Sequence, residues 1–377
     1  MQVPFLDLKL QYKSIKKEVG IEIQKVLDNT SYILGKPVSD FENNFAEAHS
    51  VKHCVGTSSG TDGNHLVLWA LGIKPGDEVI IPANTFIATA WGVTLCGAKP
   101  VLVDCHPDNY NLDPEKVEAA ITSKTKAIVA VHLYGQSADM IKLQEIADKH
   151  NILLVEDAAQ AHLAEYNGKK VGGLSAASSF SFYPGKNLGA YGEAGAVLTN
   201  DDQLAQVIKM KREHGQSKKY YHDTFGHNYR MEGIQGAVLG VKLKYLEKWT
   251  DGRRRAASKY REFLGDVSDI KLPVEMPNVK HVYHLFVIQI NNNDSVKRQE
   301  RRDALQQFFD ENGVSSGLHY AIPLHEQKCF EYLGYKKGDF PVTEKLAESG
   351  ISLPMYPELT DEQIGYVSDK VKEFFTK

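Results

Sequence analysis

The sequence predicts an α/β fold: a mostly parallel sheet covered by helices on both faces, followed by a smaller α+β region. From residue 53 to residue 155, short runs of branched apolar residues alternate with helical patterns, which is typical of successive βαβ units. Beyond residue 264 the pattern changes to one alternating strand and amphipathic helices. We therefore expect a large domain over residues 1–245 and a small domain over residues 246–377.

The large domain is expected to begin with an N-terminal arm and helix within residues 1–30, followed by a helix over Val38–His49. Strands are then predicted at His53–Val55, Glu78–Ile81, Pro100–Val103, Lys126–His132 and Ile152–Val155. The helices between them are predicted at Asp62–Leu71, Ile87–Cys96, Pro114–Ile121 and Met140–His150. One more strand-like run follows, at Ala177–Phe182.

A long helical pattern over Gln235–Phe263 contains the predicted domain change. The small domain should then contain a strand over His284–Ile290, a helix over Gln299–Asn312, a strand-like segment over Gly317–Tyr320 and a final helix over Asp361–Phe375.

Composition excludes several classes of protein. The 377 residues are 42% hydrophobic and 24% charged, which is ordinary for a globular protein. A net charge of −4 gives no field that would favour nucleic acid or an anionic membrane. No apolar run reaches the roughly 18 residues needed to span a bilayer, and we see no signal peptide, so we expect a cytoplasmic protein. The four cysteines lie far apart, which suggests neither a disulfide framework nor a metal site.

The most informative stretch runs from Asp157 to Lys186. Asp157 closely follows the apolar run Ile152–Val155, and Lys186 closely follows the strand-like run Ala177–Phe182. A lysine just past a buried strand, among glycines and a proline, is unusual for a solvated charge. A lysine amine can hold an aldehyde cofactor as a Schiff base, and a carboxylate can keep a pyridine nitrogen protonated. The pair therefore predicts pyridoxal phosphate, with Lys186 and Asp157 as the catalytic residues.

A phosphate site is predicted at Gly56–Thr61, between a strand and a helix, because N–H groups at a helix start and nearby hydroxyls bind anions. A simple Ser/Thr helix cap is the structural alternative. Ligands of open α/β sheets bind at the carboxyl ends of the strands. The residues just past predicted strand ends, which one crevice could hold, are Gly60, Thr61, Phe86, Asp157, Ser181 and Lys186.

A competing motif overlaps this site. Gly56–Gly60 fits G-x-S-x-G, the nucleophile elbow of hydrolases, in a suitable strand-to-helix context. A hydrolase using Ser58, Asp157 and a histidine is therefore an alternative, although it leaves the segment around Lys186 unexplained. No G-x-G-x-x-G occurs, so a dinucleotide fingerprint is absent.

The segments Glu156–His162 and Ser181–Gly189 resemble the DegT/DnrJ/EryC1/StrS family of sugar-nucleotide aminotransferases. The resemblance extends from Pro4–Leu8 to Leu353–Pro354 and is closest to the branch that aminates dTDP-linked 3-keto-6-deoxyhexoses. It implies an aspartate-aminotransferase-like fold (fold type I). It also implies transfer of an amino group from L-glutamate to give a dTDP-3-amino-3,6-dideoxyhexose, for a lipopolysaccharide, O-antigen or S-layer glycan. A 4-keto sugar remains an alternative, as does a cofactor-binding regulator without turnover.

The resemblance also implies the roles of the cofactor-binding residues. Gly60, Thr61 and Ser181 would contact the cofactor phosphate, and Phe86 would stack on the ring. Gln160, three residues after Asp157, could reach the phenolic oxygen. Asn228 would cross a homodimer interface to the partner's cofactor phosphate, so that two active sites are shared between two subunits. The structural alternatives are a core phenylalanine at Phe86, a polar helix residue at Gln160 and a helix cap at Asn228.

Substrate contacts are expected in two further segments. Lys218–His222 clusters basic and aromatic side chains, which can meet a diphosphate and stack on a base, although a solvated loop explains it equally well. His319–His325 resembles the family's sugar-binding segment, but its histidines could also be structural. The expected substrate-binding residues are Tyr183, Lys219, Tyr221, His319, Tyr320 and His325.

Overall fold

A computed structural model describes residues 1–376 of the chain. Its helices are α1 Leu8–Asp28, α2 Lys36–Ala48, α3 Gly60–Ala70, α4 Ile87–Leu95, α5 Pro114–Val117, α6 Met140–His150, α7 Asp202–Arg212, α8 Gly233–Leu243, α9 Leu246–Leu264, α10 Ser295–Glu311, α11 Pro341–Ser349 and α12 Asp361–Thr376. Its strands are β1 His53–Thr57, β2 Glu78–Pro82, β3 Lys99–Val103, β4 Thr125–Val131, β5 Leu153–Asp157, β6 Glu165–Tyr166, β7 Lys169–Lys170, β8 Ser178–Ser181, β9 Gly195–Thr199, β10 Gln216–Lys218, β11 Tyr221–His222, β12 Ile270–Lys271, β13 Val279–Lys280, β14 Phe286–Ile290 and β15 Gly350–Leu353.

The central sheet has seven strands in the order β1-β9-β8-β5-β4-β2-β3. Strands β8, β5, β4, β2 and β3 are mutually parallel. Only β9 runs the other way, because it pairs antiparallel with both β8 and β1. The predicted mostly parallel sheet is therefore confirmed, and the carboxyl ends of six strands meet at one edge.

Both faces of this sheet are covered, which explains the continuous apolar runs of its strands. Val79 and Ile81 of β2 belong to the same core cluster as Val93 of α4. Ile80, between them, points to the other face and shares a cluster with Leu143 of α6. The alternation along one strand thus places one layer of helices on each face, as predicted.

A second core surrounds the three-stranded antiparallel sheet β12-β14-β15. Tyr260 of α9 packs on Phe286 of β14, with ring centroids 5.0 Å apart. The N-terminal arm reaches this core: Val3 is buried in it and donates its N–H to the carbonyl of Gly313 at 2.8 Å. The domain boundary between residues 245 and 246 stays a prediction.

Three departures from the predicted elements lie after residue 234. The pattern over Gln235–Phe263 forms two helices, α8 and α9, instead of one. The third strand of the small sheet is β15, which the sequence had not indicated, while Gly317 makes only an isolated bridge to Ser352. The segment after Gly317 is held elsewhere: Tyr134, in the turn after β4, donates its Oη to the carbonyl of His319.

No helix among the described residues is long and apolar enough to cross a membrane.

Candidate active site

The site lies at the carboxyl edge of the central sheet, where β1, β2, β5 and β8 end. Asp157 is the last residue of β5, Ser181 is the last residue of β8, and Gly60 begins α3 shortly after β1. The sheet order places β5 directly beside β8. The structure therefore brings together the residues that the sequence predicted just past strand ends.

Asp157 is buried, with 5% of its surface exposed, and accepts three hydrogen bonds from neutral donors. Thr89 Oγ1 and Asn64 Nδ2 donate to its Oδ2 at 2.7 and 3.0 Å, and the N–H of Ala159 donates to Oδ1 at 3.1 Å. Among residues 1–376, no cation pairs with this carboxylate within 4.0 Å. A buried carboxylate held by neutral donors is suited to pair with a cationic group of a ligand.

Lys186 lies in the loop after β8, and its N–H donates to the carbonyl of Tyr183 at 2.8 Å. Burial lowers the pKa of its amine to about 8, although the negative charge of Asp157 acts in the opposite direction. Within the described part of the chain, Nζ makes no hydrogen bond or ion pair. A lysine amine that is partly neutral near pH 7 and has no partner can attack an aldehyde, so the donor set fits pyridoxal phosphate.

The predicted phosphate cradle is formed by the start of α3 and the end of β8. Ser59 caps α3, accepting the N–H of Asp62 at 3.1 Å. A Cβ on Gly60 would lie 2.5 Å from Cβ of Ser181, so only glycine allows this close approach. The N–H groups of Gly60 and Thr61 have no hydrogen-bond partner among the described residues. The first turn of α3 can therefore receive an anion beside the Ser181 hydroxyl.

The hydrolase alternative is not supported by this geometry. Ser58 Oγ donates to Oδ2 of Asp62 at 2.6 Å, and Ser59 Oγ donates to the same oxygen at 2.8 Å. No hydrogen bond in residues 1–376 joins Ser58 to a histidine. The nucleophile lacks the base that it would need, and G-x-S-x-G here is a helix-capping sequence.

Phe86, Gln160 and Tyr320 form a contiguous group. The Phe86 side chain is 51% exposed, so it is not a core phenylalanine, and its ring centroid lies 5.7 Å from that of Tyr320. Gln160 accepts the N–H of Tyr134 at 2.6 Å and donates to Tyr320 Oη at 3.0 Å. The structure thus joins two predicted cofactor residues to one predicted substrate residue.

His319 and His325, both predicted to bind substrate, have different surroundings. His319 Nδ1 lies 2.8 Å from Ser352 Oγ, and burial, followed by the charge of Lys186, lowers the pKa of the imidazole to about 4. His325 is buried and its Nε2 lies 3.0 Å from Oε1 of Glu344. None of the hydrogen bonds of His325 joins it to the residues around Lys186, and its contact with substrate stays a prediction.

The remaining predicted residues lie on the surface of the single chain. Lys219 and Tyr221 are exposed on the hairpin formed by β10 and β11, and Tyr183 is 55% exposed. Asn228 is exposed and pairs through its backbone with Glu213. It does not cap α8, which begins after Glu232. The helix-cap alternative for Asn228 is therefore wrong, while its predicted role across an interface stays a prediction.

Sequence reasoning missed three polar residues of this site. Asn64 and Thr89 bind Asp157, and His284 lies 3.2 Å from Oδ1 of Asn187, the residue after Lys186. Burial and the charge of Lys186 hold the pKa of His284 well below its ordinary value. A signal was available for Thr89, which is one of two hydroxyl residues in the largely apolar helical segment Ile87–Leu95 and lies near its start.

Comparison with known proteins gives consistent results. A protein of Geobacillus stearothermophilus named pleiotropic regulatory protein is 45% identical over 100% of this chain and 99% of its own length. The Streptomyces venezuelae dTDP-3-amino-3,4,6-trideoxy-alpha-D-glucose transaminase is 43% identical over 99% of this chain and 96% of that protein.

Two solved structures extend the comparison to the fold. S. venezuelae DesV, in complex with a ketimine intermediate, superposes with a TM-score of 0.95 at 42% identity, covering 100% of this chain and 99% of that one. NtdA from Bacillus subtilis, with bound cofactor PMP, has a TM-score of 0.90 at 31% identity, covering 100% and 86%.

These matches confirm the expected aspartate-aminotransferase-like fold, and they identify the protein as an aminotransferase that uses pyridoxal phosphate. The family model of the DegT/DnrJ/EryC1/StrS aminotransferases matches residues 13–372. The chain therefore belongs to the DegT/DnrJ/EryC1/StrS aminotransferase family.

Proposed function

We propose that this protein moves an amino group from L-glutamate to a nucleotide-linked keto-sugar, with a dTDP-3-keto-6-deoxyhexose as substrate and a dTDP-3-amino-3,6-dideoxyhexose as product. The observation that carries the proposal is the unpaired, low-pKa amine of Lys186 beside the buried carboxylate of Asp157 at the carboxyl edge of the sheet. The choice of sugar is supported by the 43% identical dTDP-sugar transaminase of S. venezuelae.

Each residue of the site has a defined task in this reaction. When bound, pyridoxal phosphate supplies a conjugated ring that delocalises the electrons left on the donor's α-carbon. Lys186 Nζ holds the cofactor between turnovers and, once displaced by the amino donor, takes the proton from that carbon. Asp157 keeps the ring nitrogen protonated, and Gly60 and Ser181 bind the phosphate. A positioned base of this kind contributes a rate factor of roughly 10²–10⁴.

The proposed reaction is tested with purified protein, glutamate and a panel of nucleotide keto-sugars that carry dTDP, UDP or GDP and a ketone at carbon 3 or carbon 4. Mass spectrometry should find the amino product for the dTDP 3-keto sugar, and Lys186→Ala should form none. Amination of the 4-keto sugar alone would replace the proposed substrate with the alternative one.

The same preparation separates an enzyme from a regulator without turnover, which matters because one close relative is named a regulatory protein. In an aminotransferase, glutamate alone converts the bound cofactor in a single turnover and abolishes its visible absorbance. An absorbance that glutamate leaves unchanged would favour the regulator.

We also propose a homodimer with shared active sites, in which Asn228 completes the phosphate site of the partner subunit. Its side chain is exposed and makes no hydrogen bond among the described residues, although the neighbouring backbone is paired. Mixing Lys186→Ala with Asn228→Ala should restore activity, because the mixed dimer contains one site with both native residues. No gain over the separate variants, at a confirmed level of mixed dimers, would contradict sharing. A cytoplasmic location also stays a prediction.

A further inference from the structure

One oxygen of Asp157 is occupied by two side chains that the proposed reaction does not use. Thr89 Oγ1 and Asn64 Nδ2 both donate to Oδ2, and both side chains are buried, with 2% and 7% of their surface exposed. Oδ1 accepts only the N–H of Ala159. Because a carboxylate oxygen can accept two hydrogen bonds, Oδ2 is saturated and Oδ1 keeps one position open.

A second layer fixes the direction of these hydrogen bonds. Thr89 has one hydroxyl proton and gives it to Asp157, so Thr85 must be the donor in the 2.8 Å contact between the two threonines. Ser179 Oγ donates to Oδ1 of Asn64, which leaves the amide nitrogen of Asn64 facing Asp157. The two donors to Asp157 are thus themselves oriented, Thr89 by Thr85 in the loop before α4 and Asn64 by Ser179 of β8.

Packing leaves the Asn64 side chain little freedom. It projects from α3 toward α4, where a Cβ on Gly92 would lie 2.9 Å from Cβ of Asn64. Helices α3 and α4 therefore approach closely at this residue, and the buried Asn64 amide is bonded at both ends, to Ser179 and to Asp157. Two donors on two packed helices define both the position and the plane of the carboxylate.

We propose that Asn64 and Thr89 are positioning residues that saturate Oδ2 of Asp157 and present Oδ1 to the ring nitrogen of the cofactor. This inference rests on the proposed role of Asp157. A carboxylate that rotates about its Cβ–Cγ bond can present either oxygen. The ring nitrogen of the cofactor is held in a fixed position, so a carboxylate that cannot rotate forms the hydrogen bond to it more readily. Removal of the Thr89 donor frees that rotation and leaves the Thr85 hydroxyl without its acceptor.

The bound cofactor reports on this geometry through its colour. A proton on the ring nitrogen is a positive charge, which disfavours a second proton on the Lys186 nitrogen that holds the cofactor. If Asp157 turns away and the ring proton is lost, the nitrogen of Lys186 loses its own proton at a higher pH. Among the described residues, the charge of Asp157 acts on the pKa of Lys186 and of Tyr320. The charge of Lys186 also acts on His162, His284 and His319, and burial lowers the pKa of all three imidazoles. The absorbance titration of the Lys186 nitrogen therefore reports on the charge beside it.

The experiment compares Thr89→Val, which has nearly the same shape but no hydroxyl, with Thr89→Ser, which restores the donor. Thr94→Val is the matched control, because Thr94 is on the same helix and its hydroxyl contacts only the carbonyl of Trp91. We expect Thr89→Val to bind pyridoxal phosphate about tenfold more weakly, the effect of one hydrogen bond to a charged group. We also expect its visible absorbance to titrate at higher pH, whereas Thr89→Ser and Thr94→Val behave as the native protein.

Two results would overturn the inference. One is a Thr89→Val protein with native affinity and a native absorbance titration. The other is a Thr89→Val protein that unfolds at a lower temperature while its absorbance titration is unchanged, which would make Thr89 a purely structural residue. If Thr89→Val does not fold, Asn64→Ala carries the same expectations. A native protein that takes up no pyridoxal phosphate would instead refute the proposed function itself.

Discussion

The tightest contact in the phosphate cradle gives a sharp test of the site. A Cβ added at Gly60 would lie 2.5 Å from Cβ of Ser181, whereas ordinary van der Waals contact begins at 3.4 Å. The change Gly60→Ala therefore forces α3 and β8 apart by about 0.9 Å, the difference between these two distances. Overpacking of this size costs about 1–3 kcal/mol of stability. Because the same two elements form the anion site, the affinity for pyridoxal phosphate should fall by at least tenfold.

A matched control and a rescue separate this effect from helix propensity. Gly240→Ala also replaces a helical glycine, but nothing lies within 4 Å of its new Cβ. It should stabilise the protein by about 0.5–1 kcal/mol and leave cofactor binding unchanged. In the double variant Gly60→Ala, Ser181→Gly the clashing Cβ is absent. We therefore expect the stability loss of the double variant to be smaller than the sum of the two single losses.

Chemical unfolding of the cofactor-free protein measures the stability terms, and fluorescence titration with pyridoxal phosphate measures the affinity. The reasoning is refuted if Gly60→Ala is as stable as the native protein and binds the cofactor within twofold of it. It is also refuted if the two changes are strictly additive, since additivity would mean that the two residues do not touch.

Three further results are expected. The Lys186 amine attacks an aldehyde only when it is neutral, so the rate at which cofactor-free protein binds pyridoxal phosphate should rise with pH through about 8. Stopped-flow absorbance measures this rate. A rate that is constant from pH 6 to pH 9 would contradict the prediction. Although burial acts to raise it, hydrogen bonds from Thr343 hold the pKa of Asp104 below its ordinary value, so its contribution to stability is present at neutral pH and is lost as the pH falls through the lowered pKa. Asp104→Ala leaves the buried donors of Thr343 without an acceptor and should lower the unfolding free energy at pH 7 by about 1–3 kcal/mol, with the difference shrinking toward pH 3 in urea titrations. Tyr320→Phe removes the acceptor of the buried Gln160 amide and should weaken cofactor binding a few-fold by fluorescence titration, together with a loss of about 1–3 kcal/mol in the unfolding free energy of the cofactor-free protein.

The sequence predicted the central sheet because its parallel strands are buried on both sides and therefore read as unbroken apolar runs. Asp157 could be found by the same signal, since a charged residue closely after such a run is conspicuous. Lys186 stood out instead because it lies among glycines and a proline just past a strand-like run. The single reversed strand β9 was not predicted, and its direction, which depends on pairing with β1 and β8, has no signature in its own residues.

Long-range contacts account for what the sequence did not reveal. β15 becomes a strand only by pairing with β14, about 60 residues earlier in the chain. The break between α8 and α9 at Lys244 and Tyr245 lies among good helix formers, so propensity gives no warning of it. Tyr245 instead stacks on Trp249 and donates to Glu18 of α1, contacts that no local pattern contains.

The placement of β1 affects how the protein is made. This strand leads into the cofactor's phosphate site. Within the sheet it is hydrogen-bonded only to β9, and the pairing runs from His53 opposite Thr199 to Thr57 opposite Gly195. A ribosome has to add roughly 140 residues after β1 before that neighbour exists, and contacts of such separation form slowly. Nascent chains that end before β9 should consequently fail to retain pyridoxal phosphate. Until β9 is synthesised, the unpaired edge of β1 is accessible to chaperones or to incorrect pairing.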